Sequence, residues 1–315
     1  MKPTFDTLVV GEVNVDLIFN QIESFPEMGK EKLANKMTLT LGSSSAIFAS
    51  NLSALGMRVS FIGKIGNDIF GRYCKEQLEA KAVDTSMLIV DNGLMTGATI
   101  ALNYGESRAM ITHQGAMKYL TMLDISDEKL KTAKHLHFSS YFLQPGFKNE
   151  LGNLFKMAKE GGLTTSLDVQ WDPEEKWDFD FKKILPFVDV FLPNEEELLH
   201  LTGANKIGSA LQAIEKFSKI IVVKRGNKGS LLCCNGKQIE KESFRNDEVA
   251  DAIGAGDSFN AGFIFKFIQG YSPQECQIFG NLIGAISTTR AGGTEAFKDY
   301  QSTMKIAKSK FGYKE

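Results

Sequence analysis

An α/β fold is predicted: a three-layer αβα domain with a mostly parallel central sheet and a small β-sheet lid. Two observations predict it. From about residue 134 onward, short apolar runs alternate with helix-length amphipathic runs, the pattern of parallel strands covered on both faces. Two earlier stretches, about 12–41 and 97–117, read as β and together as a peripheral sheet built from two chain segments. No linker, repeat or low-complexity tract divides the 315 residues, so 1–315 is expected to be a single domain with the lid inserted in it.

In chain order, FDTLVVGEVNVDLIFN reads as a buried strand, a Gly turn and a second extended stretch, and 24–41 as a β excursion. Residues 45–55 read as a helix stopped by Gly56. RVSFIGKIG is the next strand, GRYCKEQLEAKAV the next helix, and 97–120 a hairpin turning at Tyr104–Ser107. Then come strand-like HLHFSSYFL, LTTSLDV, VDVFLP, KIIVVK and SLLCC, among helical runs at 150–160, 195–202, 208–217, 258–269 and 274–290. Cys74, Cys233, Cys234 and Cys276 form no CxxC pair, and free buried thiols are expected.

A formal charge of -2 and the lack of long basic runs argue against a nucleic-acid or anionic-membrane partner. No stretch approaches the roughly 20 apolar residues of a membrane helix, and no leader pattern opens the sequence. A cytoplasmic location is expected.

The motif richest in chemistry is DAIGAGDSFNAGFIFKFIQG, residues 251–270. Small residues before a helix start let backbone N–H groups approach an anion, and the helix dipole favours negative charge there. A carboxylate in that first turn, Asp257, is suited to take a proton from a hydroxyl while the amides of Gly254, Ala255 and Gly256 hold a transferring phosphoryl group. The loop is not a Walker A sequence, because no Lys-Ser/Thr follows the glycines. Asn194 and Glu197 in PNEEELLHLTG have the spacing of a capping box. KRGNKG at 224–229 reads as a tight turn between two strands, and Asp168 stands at a strand end, where open α/β sheets bind ligands. Asn14 and Asp16 alternate and so share a face if extended.

GAGDSFNAGFIFKFIQG resembles the C-terminal signature of the ribokinase-like (PfkB) carbohydrate kinases, and IGKIGNDIFG resembles their first signature region. The resemblance covers about residues 5–295. It implies ATP and Mg²⁺ as cofactors, Asp257 as base and the Gly254–Gly256 amides as anion hole. It implies that Asn194 and Glu197 organise Mg²⁺ through water, and that Lys224, Gly226 and Gly229 lie near the ATP phosphates, with Asn281 beside the adenine and Asp168 a further contact. Substrate would meet Asn14, Asp16, Gly42, Ser43 and Ser44, with Arg108 and His113 reaching in from the lid. Potassium, which activates many members, would lie near Asp251, the Ile253 carbonyl and Gly293. A homodimer through the lid strands is a family-level expectation that would also cover exposed strand edges.

The sequence departs from the family at Ala252 and Ile253, at Val169 and Gln170, and in the substrate loop, where Ser44 replaces the Lys and Ile47 the Asn of ribokinases proper. An Ile cannot hydrogen-bond a sugar hydroxyl, so a fructose-like ketose or sugar acid is favoured over ribose. A nucleoside kinase is the alternative within the family; a non-catalytic nucleotide or metabolite sensor is the alternative outside enzymes. A dehydrogenase would need a Gly fingerprint after the first strand, and GEVNVD lacks one.

Overall fold

The computed structural model describes residues 3–22, 24–104 and 107–314. Elements are numbered in chain order. Strands β1 (Phe5–Val10), β4 (Val59–Ile62), β9 (Ala133–Ser139), β10 (Thr164–Asp168), β11 (Val190–Phe191), β12 (Ile220–Lys224), β13 (Ser230–Cys234) and β14 (Lys237–Lys241) form one sheet in the order β14-β13-β12-β11-β10-β9-β1-β4. Every pairing from β4 to β12 is parallel, and β13 and β14 extend the sheet antiparallel.

The parallel strands are apolar along nearly their whole length because both faces are covered. On β1, Val9 packs into one core while Leu8 and Val10 pack into the other. The first core is closed by α1 (Ser44–Ala54), α2 (Ile69–Ala80), α8 (Ala255–Ile268), α9 (Pro273–Ser287) and α10 (Tyr300–Phe311). The second is closed by α3 (Asp127–Leu130), α4 (Leu151–Glu160), α5 (Phe181–Ile184), α6 (Glu195–Thr202) and α7 (Ile207–Ile214). This is the expected three-layer arrangement. Cys233 is buried and its neighbour Cys234 partly exposed, as adjacent strand residues should be, and all four cysteines are free.

A second sheet holds β2 (Asn14–Ile22), β3 (Ala34–Leu41), β7 (Gly97–Tyr104) and β8 (Ser107–His113) in the order β3-β2-β7-β8. It is entered from the end of β1 and left into α1, so its base lies at the C-terminal edge of the central sheet. RVSFIGKIG differs from expectation. Past Ile62 the chain leaves the central sheet, and β5 (Lys64–Gly66) pairs with β6 (Ile89–Asp91) in a separate two-stranded ladder. The strand KQIEK and the final helix α10 were not legible in the pattern. The alternation in KQIEK is weak because β14 is a largely solvated edge strand.

Candidate active site

The C-terminal ends of β10 and β12 and the starts of α6 and α8 bring four ionisable groups together, Asp168, Lys224, Glu197 and Asp257. Gly254 caps α8 with φ +72°, a left-handed conformation that favours glycine. A Cβ there would also lie 2.7 Å from the Gly293 Cα. Asp257, in the first turn, is buried, and burial pushes its carboxyl up to about 6. The nearby Asp168 charge adds to that rise; Lys224 and hydrogen bonds from Ser44 and Gln170 oppose it.

Asp168 is fully buried, and its Oδ2 accepts from Lys224 Nζ at 2.6 Å, Asn260 Nδ2 at 2.5 Å and Gln170 Nε2 at 3.0 Å. Among the described residues its Oδ1 has no hydrogen-bond partner. The same Gln170 amide nitrogen donates to Asp257 Oδ1 at 3.0 Å. Burial works against the charge on Lys224, but Asp168, Glu197 and Asp257 outweigh it and raise its pKa. Lys224 also lies against the anion loop, its Nζ 3.6 Å from where a Cβ on Gly256 would be.

Asn194 and Glu197 form the expected capping box at the start of α6. Asn194 Oδ1 accepts from Glu197 N at 2.8 Å, and Asn194 N donates to Glu197 Oε2 at 2.8 Å. Asn194 Nδ2 also donates to Glu197 Oε1 at 2.6 Å. Burial, and then the charge of Asp168, raises the Glu197 pKa. Lys224 N donates to the Pro193 carbonyl at 2.9 Å, which joins this cap to the end of β12.

On the small-sheet side, Asn14 Nδ2 donates to Thr99 Oγ1 at 2.8 Å, and Thr99 and Thr112 hydroxyls lie 3.0 Å apart. With its nitrogen so occupied, Asn14 keeps Oδ1 as an acceptor beside the Asp16 carboxylate. A Cβ on Gly42 would overlap Asp16 and approach Asn14 Oδ1 to 2.8 Å, so the glycine makes room for both. Ser43 caps α1, accepting from Ala46 N at 3.1 Å and donating to the Glu12 carbonyl at 2.6 Å. Glu12 is itself buried, and its carboxylate accepts from Ser140 Oγ at 2.7 Å and from the Ser45 hydroxyl. Burial pushes it up to about 7.

The remaining expected residues fall as follows. Asp251 ties two loops together, accepting from Ile253 N at 3.0 Å and Gly292 N at 3.1 Å; the Gly293 carbonyl accepts from Asn51 Nδ2 at 2.9 Å. Gly226 and Gly229 flank a short turn after β12, both with positive φ. Asn281, on α9, donates to the carbonyls of Lys241 and Glu242 at 3.3 and 3.1 Å. The side chain of Arg108 lies outside the described residues.

His113 requires a correction. It pairs with Ala98, which pairs with Val15, so it faces away from Asn14 and Asp16; Thr112 shares their face instead. Glu12, Thr99, Gln170 and Asn260 were not anticipated. Asn260 lies one helical turn beyond Asp257, and that i, i+3 spacing was the available signal. A cavity of about 710 Å³ bordered by Lys148, Asn153, Asp178 and Phe187 touches none of these groups.

A three-layer α/β domain carrying a small second sheet beside the carboxyl ends of its strands, with a buried acid behind a glycine loop, has the architecture of an ATP-dependent sugar kinase. The model of the pfkB family of carbohydrate kinases matches residues 5–299. The 5-dehydro-2-deoxygluconokinase of Shouchella clausii is 26% identical, over 93% of this chain and 92% of its own. A nucleoside kinase of Methanothermobacter thermautotrophicus is 23% identical, over 99% of both chains. The structure of Arabidopsis thaliana ribokinase complexed with ribose and ATP superposes with a TM-score of 0.83 at 25% identity, covering 97% of this chain and 99% of that one. The chain belongs to the PfkB family and is a carbohydrate kinase, a phosphotransferase with an alcohol group as acceptor.

Proposed function

We propose that the enzyme transfers the γ-phosphoryl group of ATP to a hydroxyl of a sugar or sugar-like substrate, with Asp257 as general base. The observation that carries this reading is the buried Asp257 carboxyl in the first turn of α8, behind the Gly254-Ala255-Gly256 backbone and close to Lys224. The substrate oxygen attacks the γ-phosphorus, the bond to the ADP oxygen breaks, and the hydroxyl proton passes to Asp257. The loop amides and Lys224 offset the charge that accumulates. Magnesium, when bound with ATP, supplies further charge neutralisation. Asn194, Glu197 and the unpartnered Oδ1 of Asp168 suit it through its waters, since magnesium keeps several of them.

Asn14 and Asp16 present two hydrogen-bond acceptors, which suits a polyol. Ile47 packs at the Gly254–Gly293 crossing and offers no polar atom there, which supports a ketose or sugar acid over ribose. A nucleoside is the second reading, favoured by the full-length nucleoside kinase relative. We read the small sheet as a lid belonging to a single domain, its polar face over the substrate. Its other face exposes Met37 (60%), Leu39 (36%), Ile100 (39%) and Ile111 (69%), and a second copy of the chain would cover it. Potassium suits the oxygens of Asp251, Ile253 and Gly293. Four unpaired thiols fit a reducing, cytoplasmic setting, and no helix among the described residues is long and apolar enough to cross a membrane.

Asp257→Asn tests the base. Turnover is expected to fall by about 10²–10⁴ with ATP affinity nearly unchanged. Near-normal turnover in that variant would refute the assignment.

A further inference from the structure

The loop that leaves β10 departs from the family pattern at Val169 and Gln170, and Gln170 is held in a left-handed conformation, φ +60°. A glutamine is uncommon there, and strained residues of this kind persist where surrounding contacts over-determine them. The contacts at Gln170 are specific. Its amide nitrogen donates to Asp168 Oδ2 and to Asp257 Oδ1, both at 3.0 Å. Only a donor suits a position between two carboxylates, so the amide has one orientation, oxygen outward.

We propose that Gln170 is a positioning residue for the reaction: its amide bridges the base Asp257 to the Asp168–Lys224 pair and fixes the rotamer from which the base meets the substrate hydroxyl. This deepens the reading of Asp257 as base and rests on it. Catalytic bases are commonly oriented by a third group that does not itself react. Asp168 is well suited to be the anchor, because Lys224 at 2.6 Å and Asn260 at 2.5 Å hold the same oxygen that Gln170 reaches. The other groups around Asp257 are Lys224 from β12, Ser44 from α1 and Glu197 from α6. Lys224 holds Asp168 and acts on Asp257 through its charge, and among the described residues only the Gln170 amide is hydrogen-bonded to both carboxylates. The bridge also gives the strained backbone a purpose. A right-handed residue 170 would send its side chain elsewhere, and a shorter side chain would not span both carboxylates.

Two substitutions separate the amide from the backbone. Gln170→Gly removes the side chain and suits φ +60°, so the fold is kept; Gln170→Asn keeps an amide and tolerates the left-handed region but is one methylene short. ADP release from Mg–ATP is measured with water as acceptor and with D-fructose, D-ribose and 2-keto-3-deoxygluconate. Both variants are expected to lose about tenfold to a hundredfold in kcat, with KM for Mg–ATP within about twofold and melting temperature maintained. In an Asp257→Asn background, Gln170→Gly is expected to cost nothing further, because a base-orienting amide has nothing left to orient.

Wild-type kcat in Gln170→Gly, with Asp257→Asn slow, overturns the inference alone. An undiminished Gln170→Gly loss on top of Asp257→Asn also overturns it, since the effect would then run through the fold. A fast Asp257→Asn enzyme sinks the base assignment and this inference together.

Discussion

The two walls of the site are built in opposite ways. On the α8 side, Asp168, Glu197 and Asp257 are all buried, and Lys224 keeps 11% of its side chain exposed. Asp168, Lys224 and Asp257 are held by partners on other elements and Glu197 by Asn194 at the cap of its own helix, so their orientations exist before any ligand arrives. On the small-sheet side, Asn14 and Asp16 sit at the root of a sheet whose far face leaves Met37 and Ile111 more than half exposed. Charge chemistry needs a preorganised, dry setting, where dipoles are already aimed and nothing must reorganise at the moment of transfer. The proposed substrate side is a single sheet layer with one face left open to solvent. On the proposed reading, kcat belongs to the first wall and KM for the acceptor to the second.

A pair of glycine substitutions should break that division most visibly. Gly254→Ala forces a left-handed alanine and places its Cβ 2.7 Å from the Gly293 Cα. It should cost about 1–3 kcal/mol of stability and lower kcat with every acceptor. Gly42→Ala has no such backbone penalty, but its Cβ displaces Asp16 and crowds Asn14. It should raise KM for the sugar by about tenfold or more while leaving KM for ATP unchanged. Equal effects of the two on both parameters would dissolve the comparison.

Glu12 lies between β1 and β2, where the chain passes from the central sheet to the small one, and pH sharpens the contrast there. Its carboxyl rises from 4.5 to about 7 on folding because burial penalises the charge. A raised folded pKa means stability that is complete below pH 4.5 and lost as pH rises through about 7. Glu12→Gln removes this term, so the melting temperature of the variant should gain on the wild type as pH climbs from 4.5 to 8. A constant difference across that window would show that Glu12 ionises as freely in the fold as outside it.

The smallest effect on folding is expected at the outer face of the small sheet. Ile111→Lys, at a 69% exposed position, should change monomer stability by no more than about 0.5 kcal/mol. The same change should shift sedimentation from dimer to monomer. A wild-type chain that sediments as a monomer would remove the second copy from this face.

Local motifs were legible because their geometry is local. The capping box of Asn194 and Glu197, the glycine entry to α8 and the alternation of β2 each depend on residues a few positions apart. What escaped depends on which strand end meets which helix. Gln170 reaches Asp257 across 87 residues and Asn260 reaches Asp168 across 92. No window of sequence shows either contact, and Gln170 read only as a departure from a family pattern. His113 was misplaced for a related reason. Hairpin register decides which residues of β8 share a face with Asn14, and a shift of one residue exchanges Thr112 for His113. Glu12 drew no reading of its own, because its hydrogen-bond partners Ser45 and Ser140 are far along the chain.

The most direct test of the central claim is ADP release from Mg–ATP against D-fructose, D-ribose, 2-keto-3-deoxygluconate, sugar phosphates and adenosine, with and without potassium. The account predicts one sugar or sugar acid standing well above the rate with water alone, and that signal disappearing in Asp257→Asn. A flat panel from a protein that binds no ATP would contradict it.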